Sequence, residues 1–405
     1  MATELARLTP EHPARDTATL RVGICCDFPE ERWISMDLVG EMLLAELGAD
    51  RSLGIDATAI RPRLPRRLSR VFHRSRRSFN ADRFLGRFRD YPRIVRAMRG
   101  QFDVFHVIDH SYAHLVNDLP PGRTVVTCHD LDAFRLALAP EASRGAPVLT
   151  AMARRSLAGL KAAARVICVS DTVRAEIVEM GLIPSSRVSL VPNGVHPALS
   201  PEPDPRADNE LSTLIGEPSD EVTELLHVGS TIPRKRIDIL LQVIATLRRG
   251  TRPVRLLRVG GDLEPDQRRL ARELGVEDAV ISLPFLAPPV LAAVYRRAAV
   301  VLQPSDAEGF GLPIVEAMAC GTPVVATDLA VLREVGGDAA IYCRRGEIDA
   351  WATTIRRLVT VRDSEPELWD TRRRRGIARA KRFSWQAHAE AMAEIYRAVD
   401  AAASS

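Results

Sequence analysis

Residues 305–321, SDAEGFGLPIVEAMACG, place two carboxylates, Glu308 and Glu316, on either side of a turn that holds Gly309 and Gly311. Pro313 suits the first turn of a helix running through PIVEAMAC, where its missing N–H costs nothing. Such a helix start exposes unpaired backbone N–H groups and a positive dipole end, and the glycines let a ligand approach the backbone closely. The centre of the motif is therefore suited to phosphate. The acids beside it are not; a carboxylate grips the paired hydroxyls of a ribose or a pyranose instead. A ligand with hydroxyls, then phosphates, then hydroxyls again is a sugar nucleotide. The competing reading is a capped surface helix with ordinary acids near its start.

A second stretch, HVGSTIPRKRIDILLQ, ends a strand at Gly229, turns through Ser230, and sets Arg234 and Lys235 before an apolar-periodic helix. Arginine offers forked bonds and lysine a point charge, the pair a diphosphate takes. Cations at a helix start oppose its dipole, which points to an anion there. Other patterns carry less. Asp130 and Asp132 spell D-x-D, a metal-holding spelling, but they follow VVTCH in the first half, whereas the phosphate groups of residues lie in the second. His106, His110 and His114 are spaced by four, yet DVFHVID reads as a strand, so only the last two can share a helix, and further zinc ligands are wanting. His110 faces an acceptor cleft or serves a loop or cap.

These residues need elements that bring them together. In the first half, apolar runs alternate with amphipathic segments: LRVGICCDF (20–28), FDVFHVID (102–109), RTVVTCHD (123–130), ARVICVSD (164–171) and RVSLVPNG (187–194). The pattern restarts with TELLHVGS (223–230), VRLLRVGG (254–261), AVISLPF (279–285), AVVLQPS (299–305), TPVVATD (322–328) and AAIYC (339–343). Strands alternating with helices imply parallel sheets covered on both faces. Residues 197–221, rich in proline and acid, read as a linker. Two open α/β domains so joined face each other across a cleft, and ligands bind outside the carboxyl ends of their strands.

Composition narrows the class. The chain has 405 residues, 46% of them hydrophobic, enough for two cored domains. No apolar run is long enough to cross a bilayer, and the first residues have no apolar signal-like core, so a cytoplasmic protein is expected. Six scattered cysteines form no CxxC pair and read as small buried residues. The net charge is only +4, but residues 61–99 hold fourteen arginines against Asp82 and Asp90. Apolar residues recur among those arginines at Phe84, Leu85, Phe88, Tyr91, Val95 and Met98. The segment reads as a membrane-surface patch serving a lipid-linked acceptor, as an anionic-acceptor site, or as an arginine-rich connection packed on the first domain. No nucleic-acid-binding module surrounds it.

EGFGLPIVEAMACGTPVVAT resembles the E-x7-E signature of retaining glycosyltransferases of family 4, which have the GT-B fold. HVGSTIPRK, VISLPF, LVPNGV and TCHD stand in that family's order, and the likeness runs from about Leu20 onward. The resemblance implies that Glu316 binds the donor ribose. Glu308 then lies by the donor sugar, with the N–H groups of Phe310, Gly311 and Leu312 nearby and Gly309 among the residues that bind the nucleotide sugar. Lys235 binds the diphosphate, Gly229 and Phe285 line the nucleotide, and His129 lies in the cleft near the reacting sugar. Many members carry an arginine where this chain has Ser230; Arg234 is expected to take that role. The resemblance implies front-face attack with retention, in which the leaving diphosphate accepts the acceptor's proton, no protein nucleophile acts and no cofactor or essential metal takes part.

The organisation expected is a flexible lead-in (1–19), an acceptor-binding Rossmann-like domain (20–197), a linker (198–221), a nucleotide-sugar-binding Rossmann-like domain (222–381) and a helix crossing back to the first domain (382–405). That last helix carries Phe383, Trp385, Met392, Ile395 and Tyr396 on its apolar side. The expected function is hexose transfer from a nucleotide-diphosphate sugar to a hydroxyl of a glycan or lipid-linked precursor, with the protein peripheral at the inner membrane face if the arginine segment binds lipid. The alternatives are a GT-B epimerase or hydrolase, and a basic membrane- or nucleic-acid-binding protein with a degenerate pocket.

Overall fold

The computed structural model describes residues 19–71, 75–139 and 146–405. The expected lead-in lies outside them except for its last residue. The chain forms two six-stranded sheets, and every strand pair in both is parallel. The first sheet contains β1 (Leu20–Cys25), β2 (Ile55–Ile60), β3 (Val104–Val107), β4 (Thr124–Cys128), β5 (Arg165–Cys168) and β6 (Val188–Leu190), in the order β2-β1-β3-β4-β5-β6. The second contains β7 (Thr223–Val228), β8 (Val254–Val259), β9 (Val280–Leu283), β10 (Val300–Gln303), β11 (Val324–Thr327) and β12 (Ile341–Cys343), in the order β12-β11-β10-β7-β8-β9.

Strands buried on both faces read as unbroken apolar runs, which is why eleven of the twelve were visible in the sequence. The exception is β2, IDATAI, an edge strand with half its residues exposed. Successive residues of β3 serve opposite cores: Phe105 and Val107 pack on one side, Val104 on the other. That other face is covered by the helix Trp385–Ser404, whose Ala389, Met392, Ala393, Tyr396 and Val399 pack on Val22, Ile24, Val104, Val125 and Ile167. Burying each large side chain contributes about 1.5–3 kcal/mol. The helix also pins the sheet with a polar bond, the Tyr396 hydroxyl lying 2.7 Å from His106 Nδ1.

The proline- and acid-rich stretch is not a bare linker. It holds the helix Pro205–Ile215, capped by Asp204, whose carboxylate accepts the N–H groups of Arg206 and Ala207. Ala207 and Leu211 are buried in the core of the second sheet. The charged residues face solvent, so composition hid an amphipathic helix. The chain leaves the first half and returns to it at adjoining points. Val195 N–H donates to the Phe383 carbonyl at 3.1 Å, and a Cβ on Gly194 would lie 2.3 Å from Trp385 N.

The described part of the arginine-rich segment, residues 61–71 and 75–99, folds onto the first half. Arg83 and Arg87 both bond Glu31, Arg67 forks onto Asp90, and Asp82 accepts the N–H groups of Arg67, Leu68 and Ser69. Tyr91 and Val95 are fully buried. No helix among the described residues is long and apolar enough to cross a membrane.

Candidate active site

The turns leaving β4 and β5 meet the turn leaving β10, so carboxyl ends of the two sheets face each other. Gly309 makes this contact possible: a Cβ there would lie 1.7 Å from the His129 carbonyl oxygen. The Gly309 carbonyl accepts a bond from Ser170 Oγ at 2.8 Å, across the same junction. Two residues on, Gly311 takes φ 97° and ψ 48°, a conformation that a side chain disfavours, and starts the helix Leu312–Ala319. The Phe310 and Gly311 N–H groups meet no acceptor among the described residues. The Phe310 ring turns the other way, packing edge-on against Phe383 among Val169 and Val335.

Glu308 is bonded through one oxygen. Its Oε1 accepts from Lys235 Nζ at 2.7 Å, from Ser305 Oγ at 2.6 Å and from Gln303 Nε2 at 2.5 Å. Its Oε2 takes no bond among the described residues. Burial pushes this carboxyl up, but the Lys235 ammonium and the Ser305 hydroxyl outweigh it and hold Glu308 below the usual carboxylate range. Lys235 was expected at a diphosphate; here its ammonium is paired with the acid beside that place. Gly229 adjoins it, since a Cβ there would lie 3.7 Å from Lys235 Cε.

Arg234 spans the cleft. Its guanidinium approaches Asp130 Oδ2 of the first half at 3.3 Å and donates to the Ala307 carbonyl at 3.2 Å. Asp130 also faces His110 Nε2 at 3.4 Å and accepts the Asp132 N–H at 3.0 Å. Both members of the D-x-D spelling are thus inside a hydrogen-bonded turn, and no cluster of three metal-ligating side chains occurs among the described residues. Burial works against charge on His110, yet Asp130 and Asp109 hold its pKa above the usual value. His129 donates its backbone N–H to His110 Nδ1 at 3.2 Å, and its Nε2 donates to the Ile108 carbonyl at 2.8 Å. Burial and His110 push the pKa of its ring below the usual value. The other two histidines of the spaced-by-four set are structural. His106 bonds Tyr396 and Thr127 in the core, and His114 donates to the Arg87 carbonyl and stacks on Phe88.

Glu316 is held apart from this cluster, on the helix after Gly311. Its Oε2 accepts a 2.7 Å bond from the buried hydroxyl of Tyr295. Burial raises its pKa, and the Tyr295 bond offsets that only in part. Phe285 is 52% exposed, two residues past Leu283, whose carbonyl receives the Gly260 and Gly261 N–H groups. Its ring is free to stack on a flat ligand. Ser230 follows Gly229 with its N–H meeting no acceptor among the described residues.

Several residues escaped the sequence reading. Tyr295, Gln303 and Ser305 fix the two glutamates, but nothing in their spacing announces it. Asp27 and Asp109 follow the carboxyl ends of β1 and β3, a position that signals a cleft. Asp27 is buried with neither oxygen meeting a donor among the described residues, and burial together with the Asp109 carboxylate pushes its pKa well up.

Two parallel α/β sheets whose carboxyl ends meet, with one acid before and one acid after a glycine-turned helix start, define a glycosyltransferase of the GT-B type. The family model "Glycosyltransferase Family 4" matches residues 43–199, and "Glycosyl transferases group 1" matches residues 223–361. A D-inositol 3-phosphate glycosyltransferase of Gordonia bronchialis is 31% identical over 323 residues, 75% of this chain and 68% of that one. The chain belongs to glycosyltransferase family 4. Among solved structures, sucrose-phosphate synthase from Thermosynechococcus elongatus superposes with a TM-score of 0.70 at 22% identity, covering 95% of this chain and 100% of that one. Anabaena HepE in complex with UDP-glucose gives 0.68 at 19% identity, covering 94% and 100%. Both likenesses concern the fold.

Proposed function

We propose that this glycosyltransferase moves a hexose from a nucleoside-diphosphate sugar to a hydroxyl acceptor with retention of configuration, the first half (20–197) binding the acceptor and the second (222–381) the donor. One observation carries the reading. Among the described residues Glu308 has three donors on a single oxygen and none on the other, beside a helix start whose Phe310 and Gly311 N–H groups meet no acceptor. In this reading Oε2 accepts sugar hydroxyls while the N–H groups of Phe310, Gly311 and Leu312 take phosphate. Glu316, oriented by Tyr295, accepts the ribose hydroxyls, and Phe285 stacks on the base. Because HepE was crystallised with UDP-glucose, UDP-glucose heads the donors to test.

In the reaction the acceptor hydroxyl attacks from the face that the diphosphate leaves, and a leaving phosphate oxygen takes its proton. Negative charge grows on that phosphate, so fixed cations nearby are worth most in the transition state. Lys235 supplies one by exchanging part of its hold on Glu308 for the phosphate; Arg234 supplies a second from the cleft wall. His129, its ring fixed by the Nε2 bond to the Ile108 carbonyl, orients the sugar. With these cations in place we propose that no divalent metal is required. Activity undiminished in EDTA supports this, and its loss overturns it.

The acceptor reading includes a lipid surface. Trp33, Ile34 and Phe84 are exposed, and Trp33 and Arg83 both bond Glu31, so an apolar and basic patch forms on the first half. This suits an anionic membrane carrying a lipid-linked glycan acceptor. The deciding experiment screens UDP-, GDP- and ADP-sugars for thermal stabilisation, then assigns the product's anomeric configuration by NMR with the best donor. Inversion, or consumption of donor to free sugar whatever acceptor is offered, would refute the transfer proposed.

A further inference from the structure

Arg258 lies on β8 with its side chain wholly enclosed, and none of the ion pairs among the described residues includes it. Asp262 and Glu264 attract it only from farther off. Its Nη1 donates to the Gly229 carbonyl at 2.9 Å, its Nη2 donates to the Gly261 carbonyl, and its Nε is buried without a partner among the described residues. The register partner of Arg258 on β7 is His227, also fully buried, with both ring nitrogens unpartnered among the described residues. Burial, Arg258 and Lys235 all oppose a charge on that ring. One unneutralised cation thus sits under two neighbouring glycine turns, those leaving β7 and β8.

The turns are built around it. Gly260 takes φ 128° and approaches Gly229 so closely that a Cβ would lie 2.2 Å from the Gly229 carbonyl oxygen. In a planar trans peptide the carbonyl and the following N–H point opposite ways. With the Gly229 and Gly261 carbonyls drawn inward to Arg258, the Ser230 and Asp262 N–H groups face away from it. Neither meets an acceptor among the described residues. Lys235 adjoins the same Gly229 turn, so the turn lies between two cations. A buried charge without a counter-ion is costly, and an anion bound over the turn would neutralise it.

We propose that Arg258 is a positioning residue for the donor diphosphate: it turns the Gly229 and Gly261 carbonyls inward, presents the Ser230 and Asp262 N–H groups to the phosphates, and supports them with its charge from beneath. This rests on the donor-site reading above. The test is calorimetric titration of UDP and of UMP into the full chain and its Arg258→Met and Arg258→Lys variants. Arg258→Met should bind UDP about tenfold or more weakly while UMP changes far less, because the second phosphate gains most from a cradle and a charge. Arg258→Lys, keeping the charge and one carbonyl contact, should fall between. A UDP loss no larger than the UMP loss overturns the proposal. If Arg258→Met does not fold, Arg258→Lys decides by the same ratio. Wild-type protein that binds none of UDP, GDP and ADP refutes the donor-site reading itself; wild-type binding with an unchanged ratio in the variants removes only the role of Arg258.

Discussion

In the function proposed above, Glu316 must be ionised to hold two ribose hydroxyls, yet burial raises its pKa. The Tyr295 hydroxyl is what opposes that push. Tyr295→Phe removes a hydrogen bond to a charged group, worth about 1.5 kcal/mol or more, so donor affinity should fall about tenfold. It also lets the Glu316 pKa rise further, so the loss should deepen as pH falls; calorimetry at several pH values checks both. The Lys235–Glu308 pair behaves oppositely. The folded pKa of Glu308 is depressed, so its contribution to stability is complete above the unfolded value of about 4.3 and is lost as pH falls through the folded value. Lys235→Met leaves a buried carboxylate without its cation, a loss of about 3 kcal/mol. The variant should melt lower at pH 7 and recover part of that deficit on acidification, as Glu308 takes a proton. Ser305 and Gln303 still hold Oε1, so the fold should survive while turnover falls about a hundredfold. The two acids, the lysine and the glycines were legible because type and spacing expose them. Tyr295 and Arg258 were not: a tyrosine inside a helix and an arginine inside LLRVGG look like ordinary surface residues until the register is known.

The turn from β10 into the helix Leu312–Ala319 does two jobs at once. Gly311 shapes the helix start, and Gly309 lets the turn seat against the His129 backbone. A methyl group at position 309 cannot be accommodated by moving a flexible side-chain tip, because it meets main chain. Gly309→Ala should therefore separate the facing turns, with turnover falling by about a hundredfold for a misplacement near 1 Å. Circular dichroism should stay native; scattering that shows unchanged interlobe spacing together with full activity would contradict this. Elements with strong apolar runs were readable from the chain. Those decided by tertiary position were not. The strand β2 is exposed at the sheet edge, and Asp204–Pro205 sat in a stretch whose composition spoke for a linker, although an acid before a proline is itself a helix-start signal.

The two lobes are joined by more than the adjoining crossings at Val195 and Phe383. Glu334, on the helix Ala330–Gly336 of the second half, accepts the Asp171 and Thr172 N–H groups at the start of the helix Asp171–Glu179 of the first. The first half in turn depends on the helix Trp385–Ser404. Met392→Ala should cost about 2–5 kcal/mol, and tryptophan fluorescence and nucleotide-induced stabilisation should report whether the lobes then melt together. Both facing sheets followed from the alternation of runs; the interlobe bonds, which join residues far apart in sequence, did not.

The cover of the first sheet has a consequence for biosynthesis. Tyr396 emerges 290 residues after His106, the partner it must meet. At about 5–20 residues per second, the ribosome takes tens of seconds to deliver it. Meanwhile Val22, Ile24 and Val104 lack their lid, so the half made first is completed last. A nascent chain stalled before Trp385 should be a strong client for chaperones, and releasing the stall should end that dependence.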